Sequence, residues 1–435
     1  MPMVEIFCRA FRKNNKMIAL YQITNFKIFD LFLSGQHLLR SLRKPIAMIR
    51  RKLTRIFTTI LLSSIVFSAY SQSLPNGQEA KYNPVLTAVP FLTISPDARH
   101  SAMGDAGVAT SPDANAQHWN PSKYLFVQDQ FGVSLSYTPW LRDLVDGINM
   151  AYLAGYYRID NNQVIGSSFR YFAMGDIKLV DQSGTFQNMV SPNEFAFDVS
   201  YSRRLSENWS GGVAFRYIRS DLFSGLTAEA NEAMSSFAAD ISFFRTKSWM
   251  SENNKNRSLA YGINISNIGG KMDDELFLPT NLRLGTSYAT DLSTNHMLSF
   301  SLDLNKLLVP TPSQSIETDS EGGIIILPND NSNQSAIGGI FSSFGDAPGG
   351  FKEEMQEINI GLGAEYTYHQ QFSLRMGYFY ENEFKGNRNF VTTGVGMKLK
   401  SFAIDLSYII PTINNSPMAN TFRFSLLMNI DTFSR

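Results

Sequence analysis

From Gln130 onward the chain alternates, residue by residue, between bulky apolar and small or polar side chains. In FGVSLSYT, Phe131, Val133, Leu135 and Tyr137 interleave with Gly132, Ser134, Ser136 and Thr138. A period of two belongs to an extended strand with one apolar face. Similar segments recur at about 148–158, 163–172, 194–203, 209–220, 236–245, 258–267, 281–290, 297–306, 357–367, 371–381, 389–399, 402–410 and 420–430, making fourteen with the first. An even number of alternating strands of this length is the pattern of a transmembrane β-barrel, which pairs every backbone group and leaves no sheet edge. The expected fold is therefore all-β, a 14-stranded antiparallel transmembrane β-barrel over residues 130–435.

Connection lengths give an independent reading, because such barrels join strands by short turns at one end and longer loops at the other. Connections after even strands are mostly tight: Asp160 to Asn162, Leu205 to Asn208, Tyr368 to Gln370 and the Lys400–Ser401 junction. Those after odd strands include Ala173 to Asn193, Asp221 to Ser235 and the longest, Leu307 to Gln356. The odd-to-even loops are thus expected outside the cell and both barrel ends in the periplasm. One even connection, Thr246 to Arg257, is longer than the rule prefers.

The residues before the barrel divide into three. Arg50, Arg51, Lys52 and Arg55 precede a short apolar run from Ile56 to Phe67, with small residues at Ala69 and Ser71. This is the form of a secretory signal over 48–71 cleaved after Ser71, and the run is too short for a transmembrane helix. Residues 1–47 have no clear organisation, and translation is expected to begin at Met48. Residues 72–129, rich in Pro, Gly, Asn and Asp and without sustained periodicity, read as an irregular N-terminal hatch or plug.

Composition then changes the picture in two ways. The 435 residues carry 38 basic and 38 acidic side chains, but residues 1–71 hold 12 of the former and 2 of the latter, so the remaining chain is acidic by ten charges. The single cysteine, Cys8, leaves with the leader, so the mature chain forms no disulfide. Aromatic residues make up 13% of the chain while mean hydropathy is only −0.14. A lipid face at every second residue, with polar lumen residues between, reconciles those two values. No basic footprint for nucleic acid is present.

Charges on the small-residue face are the least expected feature. Arg170, Asp198, Arg216, Asp240, Arg283, Asp303, Glu365, Arg375, Asp405 and Arg423 stand near mid-strand opposite the bulky apolar residues. Charge facing lipid at that depth is costly, so these side chains are expected to point inward and pair across neighbouring strands as a neutral belt. Together with the hatch, the belt would fill the lumen; an open channel is the competing reading. Arg158, Arg203, Arg219 and Arg245 fall at strand ends, where long side chains snorkel to headgroups. Tyr156, Tyr157, Trp209, Tyr217, Tyr288, Tyr378 and Tyr380 suit interfacial girdles.

The hatch carries the motifs. Asn83 to Tyr124 reads NPVLTAVPFLTISPDARHSAMGDAGVATSPDANAQHWNPSKY. Its Val89-Pro90-Phe91-Leu92, Ser95-Pro96-Asp97-Ala98-Arg99, Met103-Gly104-Asp105-Ala106-Gly107 and Trp119-Asn120-Pro121 stretches resemble the PorV family of type IX secretion outer-membrane proteins, within the wider FadL-like barrels. Physics supports a structural task for Pro90, Phe91, Pro96, Asp97, Arg99, Met103, Gly104, Asp105, Gly107, Trp119, Asn120 and Pro121, since glycine permits tight turns, proline fixes φ and aspartate closes turns. Arg99 and Asp105 are further candidates for the lumen belt.

The resemblance implies a non-enzymatic role. The family binds the C-terminal signal domain of exported cargo, accepts cargo from a large SprA/Sov-type translocon and passes it to a sortase-type attachment complex, in a setting of outer-membrane lipid and lipopolysaccharide. It implies no cofactor. The long connection Leu307 to Gln356 is the candidate partner loop, through Ile324, Ile325, Ile326, Leu327, Ile340 and Phe341, apolar residues in a polar segment. The wider family implies a second reading, transport of hydrophobic small molecules, which the charged belt opposes. Lipopolysaccharide deacylation is a third, without a catalytic constellation to carry it. There is no G-x-S-x-G, H-E-x-x-H, P-loop or G-x-G-x-x-G, the five histidines are scattered, and His100 beside Ser101 gives no triad geometry. Asp330 to Asn333 lacks the spaced ligands of a calcium loop. Sequencing the mature N-terminus is expected to give a chain beginning at Gln72; a precursor starting before Met48 would contradict the proposed start.

Overall fold

The computed structural model describes residues 82–140, 147–180, 183, 186–222, 233–252, 254–272, 276–312, 315–318, 324–327, 334–413 and 416–430. The expected leader, signal and start of the hatch, as well as Asp330 to Asn333, lie outside these residues. Fourteen strands close into one antiparallel barrel. They are β1 (Phe131–Pro139), β2 (Ile148–Arg158), β3 (Gln163–Met174), β6 (Asn193–Ser206), β7 (Trp209–Asp221), β8 (Met234–Met250), β9 (Asn256–Gly269), β10 (Asn281–Ser293), β11 (His296–Leu307), β14 (Asn359–Tyr368), β15 (Phe372–Tyr380), β16 (Phe390–Leu399), β17 (Phe402–Pro411) and β18 (Phe422–Ile430). Two hairpins stand in connections, β4 (Ile177–Val180) with β5 (Phe186–Val190) and β12 (Ser315–Thr318) with β13 (Ile324–Leu327). Closure is made by β1 against β18, from Phe131 opposite Ile430 to Tyr137 opposite Phe424.

The alternation read from the sequence is the alternation of the wall, turned inside out relative to a soluble protein. Ser134, Ser136 and Thr138 of β1 are buried toward the lumen, while Leu135 and Tyr137 face outward. The same holds around the wall, where Phe215, Leu374 and Met376 are exposed and their neighbours Ala214, Arg216 and Arg375 are buried. An apolar outer band with polar interior positions is what a barrel in lipid requires. No helix among the described residues is long and apolar enough to cross a membrane.

All connections after even strands are short: 159–162, 207–208, 251–255, 294–295, 369–371 and 400–401. The expected long connection from Thr246 to Arg257 is corrected, because β8 and β9 continue pairing to Met250 opposite Asn256. Backbone pairing there outlasts the apolar alternation, as the polar side chains of Thr246, Lys247 and Ser248 extend beyond it. The longer connections gather at the opposite, long-loop end. The longest carries β12, β13 and two short helices.

Residues 82–130 occupy the lumen. A 3-10 turn at Pro90–Thr93 leads to helix α1 (Ala98–Ser101), whose N-cap Asp97 accepts from the His100 amide at 3.0 Å. Helix α2 (Ala116–Trp119) and a second 3-10 turn, Pro121–Phe126, follow, with Asn120 accepting from the Ser122 amide. The two helices of the long connection are α3 (Ala336–Ser342) and α4 (Phe351–Gln356).

The hatch backbone comes so close to the wall that side chains are excluded on both sides. Gly104 has φ +66, and a Cβ there would lie 2.5 Å from the Tyr378 carbonyl and 2.6 Å from that of Leu362. Facing it, a Cβ on Gly361 would meet the Gly104 carbonyl at 2.6 Å, and one on Gly363 would meet Met103. Replacement by alanine therefore combines left-handed backbone strain with overpacking. Gly104→Ala is expected to lower stability by about 2 kcal/mol or more while leaving the barrel closed, measured as a fall in melting temperature with unchanged β-sheet circular dichroism.

Candidate functional site

The ten mid-strand charges all face inward and are buried. They do not form one continuous belt. Two ion-pair clusters stand on opposite parts of the wall, and the remaining four charges reach the hatch instead. In the first cluster Arg216 on β7 bridges Asp198 on β6 at 2.9 Å and Asp240 on β8 at 3.0 Å. A register shift in the β8–β9 pairing lets the Asn267 amide donate to Asp240 at 2.8 Å, and the Asn267 side chain accepts from Arg216. The bulge thus re-aims a residue to complete the cluster. In the second, Arg375 on β15 bridges Glu365 at 2.6 Å and Asp405 at 2.5 Å. Hatch residue Arg99 adds a further cation, binding Glu365 at 3.1 Å and Asp113 at 2.8 Å.

Arg170, Arg283, Arg423 and Asp303 have no ion-pair partner within 4 Å among the described residues, which corrects the expected cross-strand pairing at these four positions. Each is bound to the hatch. Arg170 donates to the carbonyls of Phe91 at 3.1 Å and Leu92 at 3.0 Å and lies over the Tyr152 ring. Asp303 accepts from the amides of Gly107 at 2.7 Å and Val108 at 2.8 Å. Arg423 donates to the Ser101 hydroxyl and lies over the Trp140 ring. Arg283 covers the Trp119 ring and reaches His118. A charge bonded to peptide dipoles is stabilised without a countercharge, and such bonds are among the stronger ones in a dry interior.

His118 sits between two guanidinium groups, with Nδ1 2.7 Å from Arg170 and Nε2 3.2 Å from Arg283. A neutral imidazole has one lone pair to offer. The shorter contact assigns it to Nδ1, leaving Nε2–H toward Arg283, which turns to the His118 carbonyl at 3.4 Å. Burial, reinforced by Arg170 and Arg283, pushes the His118 pKa well down and keeps the ring neutral.

Asp97 is the other hub of the hatch. Its carboxylate accepts from His100 Nδ1 at 2.8 Å and Trp119 Nε1 at 2.7 Å, and His100 Nε2 meets Thr110 at 3.0 Å. Lys123 donates to Thr110 at 2.9 Å and to the Gly107 carbonyl at 2.7 Å. Burial pushes the Lys123 amine down to about 8. The chain of Asp97, His100 and Thr110 has the order of an acid–base–hydroxyl relay, but Asp97 and His100 are fully buried and Thr110 nearly so. It fastens the hatch. Ser101, which sequence adjacency coupled to His100, serves Arg423 instead.

The remaining hatch motif residues are equally structural. Pro90 opens its 3-10 turn, Phe91 stacks on Phe172 at 6.2 Å, and Pro96 and Met103 are buried. Asn120 donates to the carbonyls of Val108 and Phe243, and the Pro121 carbonyl accepts from Ser202. Asp105, a candidate for the belt, has positive φ and a carboxylate oxygen without a partner. Tyr156 is a correction to the girdle: it faces inward, 3% exposed, against Tyr124 at 5.1 Å, because even-numbered positions of β2 point to the lumen. Tyr157, Trp209, Tyr378 and Tyr380 are exposed on the outside, and Arg245 lies over Trp209.

At the long-loop end, α3, the turn after it and α4 expose Ile337, Phe341, Phe344, Phe351 and Met355 by 67%, 74%, 54%, 80% and 51%. Of the expected partner residues, Phe341 belongs to this group, Ile340 is half-buried, and Ile324 to Leu327 form β13, whose side chains lie outside the described residues. Ile337, Phe344, Phe351 and Met355 are absent from the expected partner residues, although the four-residue spacing of 337 with 341 and of 351 with 355 is the helical signature. The opposite side of α4 is tied down: Glu354 and Glu357 bind Lys306 at 2.9 and 2.5 Å, and Glu353 and Glu357 bind Lys385 at 2.6 and 3.0 Å. Hatch residue Asn83 joins them, donating to Glu353 at 3.0 Å. No group of three or more potential metal ligands occurs among the described residues.

A family model described as Type IX secretion system protein PorV matches residues 77–314. Among solved structures, the chain is similar to the Ralstonia pickettii toluene transporter TbuX, with 12% identity and a TM-score of 0.42 over 77% of this chain and 98% of that one. For the Pseudomonas putida toluene transporter TodX the identity is 11% and the TM-score 0.43, over 80% and 98% of the two chains. A Pseudomonas aeruginosa FadL homologue gives 10% and 0.38, over 80% and 99%. No curated protein matches the sequence.

A lumen held this way is expected to pass no large, steady current. Purified protein in planar bilayers should be nearly silent, whereas Asp303→Ala, which strips two hatch amides of their acceptor at about 1–3 kcal/mol each, should add frequent openings. Large steady conductance of the unaltered protein would overturn the filled lumen.

Proposed function

The chain belongs to the PorV family, outer-membrane proteins of the type IX secretion system, and on that premise we propose that it is a surface docking protein for exported cargo. It binds the C-terminal signal domain of cargo, accepts it from the large SprA/Sov-type translocon and delivers it to the sortase-type attachment complex. It acts by binding and hand-over, without catalysis. The long-loop end is the cell-surface end in this reading, with outer-membrane lipid and lipopolysaccharide around the wall.

The observation that carries the proposal is the apolar group on α3, α4 and the turn between them. Five large apolar side chains are more than half exposed within twenty residues, from Ile337 to Met355. Exposed apolar clusters of this kind mark partner surfaces. Ion pairs from Glu353, Glu354 and Glu357 to Lys306 and Lys385 fasten α4 from beneath, which limits the entropy lost on binding. Lys385, the Gly349 amide and Asn83 overcome the opposing effect of burial and hold the Glu353 carboxyl below its usual range. This lowered pKa means that its contribution is complete above the ordinary carboxylate pKa and is lost as pH falls through the folded value. The platform therefore stays fastened at neutral pH.

Transport of hydrophobic small molecules through the lumen is the other reading. It calls for a mostly apolar path, while here the described lumen is crossed by Arg216 and Arg375 ion-pair clusters and by the hatch. A strain lacking the protein is expected to lose surface-attached cargo and to keep long-chain fatty-acid uptake; the reverse pattern would sink the proposal. Replacing Ile337, Phe341 and Phe351 together by serine is expected to weaken cargo binding by about tenfold or more while the melting temperature is held. Undiminished cargo release from that variant would remove α3 and α4 from the docking surface.

A further inference from the structure

At the short-turn end of the wall the outward-facing cations are confined to one sector. Arg203 on β6, Arg245 and Lys247 on β8 and Arg257 on β9 share the parity of Tyr201, Phe243 and Tyr261, which are exposed on the outside, so all four point away from the lumen. Among the described residues, no lysine or arginine faces outward at this end of any other strand. Tyr157, Gln163, Thr290, Tyr368, Leu399 and Phe402 hold the outward positions there. Arg204, next to Arg203, turns the other way and donates to the hatch carbonyl of Leu125 at 2.9 Å.

The pairing register sets the spacing of the group. Arg245 and Lys247 are two residues apart on one strand face, about 7 Å. Arg257 is diagonal to Lys247, whose direct partner is Leu259, at about 7–8 Å. Arg203 flanks them from across β7. Tryptophan accompanies the cations: Arg245 stands opposite Trp209 with its guanidinium 5.2 Å from the ring centroid, and Arg257 stands opposite Trp249. None of the four cationic side chains has a hydrogen bond or an ion pair among the described residues, although Glu207 and Glu252 lie in the adjoining turns. Toward the middle of the wall the same outward faces continue as Val213, Phe215, Ile241, Phe243 and Ile263, all exposed.

We propose that this sector binds the phosphate headgroup of an anionic glycerophospholipid. The proposal rests on the outer-membrane placement of the barrel, with its short turns toward the periplasm. Charge selects the headgroup, because cations without carboxylate partners favour a net negative lipid over a zwitterionic one that carries its own ammonium group. The apolar wall selects lipid over an acidic protein or a free anion. A phosphate held among Arg245, Lys247 and Arg257 sets its acyl chains along Phe243 and Ile263, while the indoles of Trp209 and Trp249 take the interfacial depth that such rings favour. Free phosphate would gain the cations and nothing from that surface.

The test is native mass spectrometry of the purified protein in a non-ionic detergent, with phosphatidylglycerol and phosphatidylethanolamine of the same acyl chains added in equal amounts. Retention of phosphatidylglycerol over phosphatidylethanolamine by about tenfold or more is expected, since each cation beside an anionic headgroup contributes severalfold. The preference should weaken as salt is raised and fall to about twofold or less in the triple variant Arg245→Gln, Lys247→Gln, Arg257→Gln. It should hold in Arg245→Lys with Arg257→Lys, which keeps the charge, and in Lys178→Gln with Lys400→Gln, which removes two cations outside the sector. Excess inorganic phosphate should leave the bound lipid in place. Equal retention of the two lipids by the unaltered protein would overturn the assignment and leave the sector to an acidic protein partner. A preference that the triple variant keeps, that the lysine pair loses or that the outlying pair removes would overturn it too, as would displacement of the lipid by inorganic phosphate.

Discussion

A charge inside a barrel wall has nowhere to go but the lumen, and in the lumen it must find a partner. That constraint organises this molecule. Moving an ion from water to a dry interior costs several kcal/mol even after relaxation, and the cost is offset only by close, well-aligned partners. Six of the ten wall charges meet it with one another, around Arg216 and Arg375. The other four meet it only through the hatch, at the carbonyls of Phe91 and Leu92, the amides of Gly107 and Val108, the carbonyl of His118 and the hydroxyl of Ser101. Hatch and wall are therefore one electrostatic unit, since removing the hatch would leave Arg170, Arg283, Arg423 and Asp303 bare.

The same constraint explains the glycines. Bonds from the hatch backbone to Asp303 and Thr392 require the two backbones to approach within reach of short side chains. Gly104, Gly361 and Gly363 supply that approach by having no Cβ. A plug that is charge-coupled and tightly seated is a poor gate for hydrophobic solutes. It is a good foundation, because the Asn83 end of the hatch also ties into the ion pairs beneath α4.

Much of this was legible before the structure. Alternation located every strand of the barrel to within a few residues, because lipid on one side and a polar lumen on the other impose a period of two that nothing else in the chain imitates. The inward orientation of Arg170 to Arg423 followed from the same parity. What parity does not contain is the partner. That Arg170 bonds to carbonyls near residue 91, or that Asn267 is swung toward Asp240 by a bulge, depends on contacts between segments distant in sequence. Tyr156 is the converse case: an aromatic residue at a strand end suggests a girdle, although its parity points to the lumen. In the long connection, the side chains of the apolar run Ile324 to Leu327 lie outside the described residues, while the helical spacing of Ile337, Phe341, Phe351 and Met355 leads to exposed surface.

A hatch bonded in this way to every part of the wall is expected to stay in place while the protein works at its surface. Ser122 of the hatch and Ser242 of β8 bring their hydroxyls to 2.7 Å, so Ser122→Cys with Ser242→Cys forms a covalent tether between plug and wall in a chain whose single native cysteine, Cys8, is replaced by serine for the purpose. Cargo appearing at the cell surface should be compared with this tether oxidised and reduced. Equal delivery in the two states is the predicted result; loss of delivery on oxidation that reduction restores would show that the hatch must move and would contradict the account.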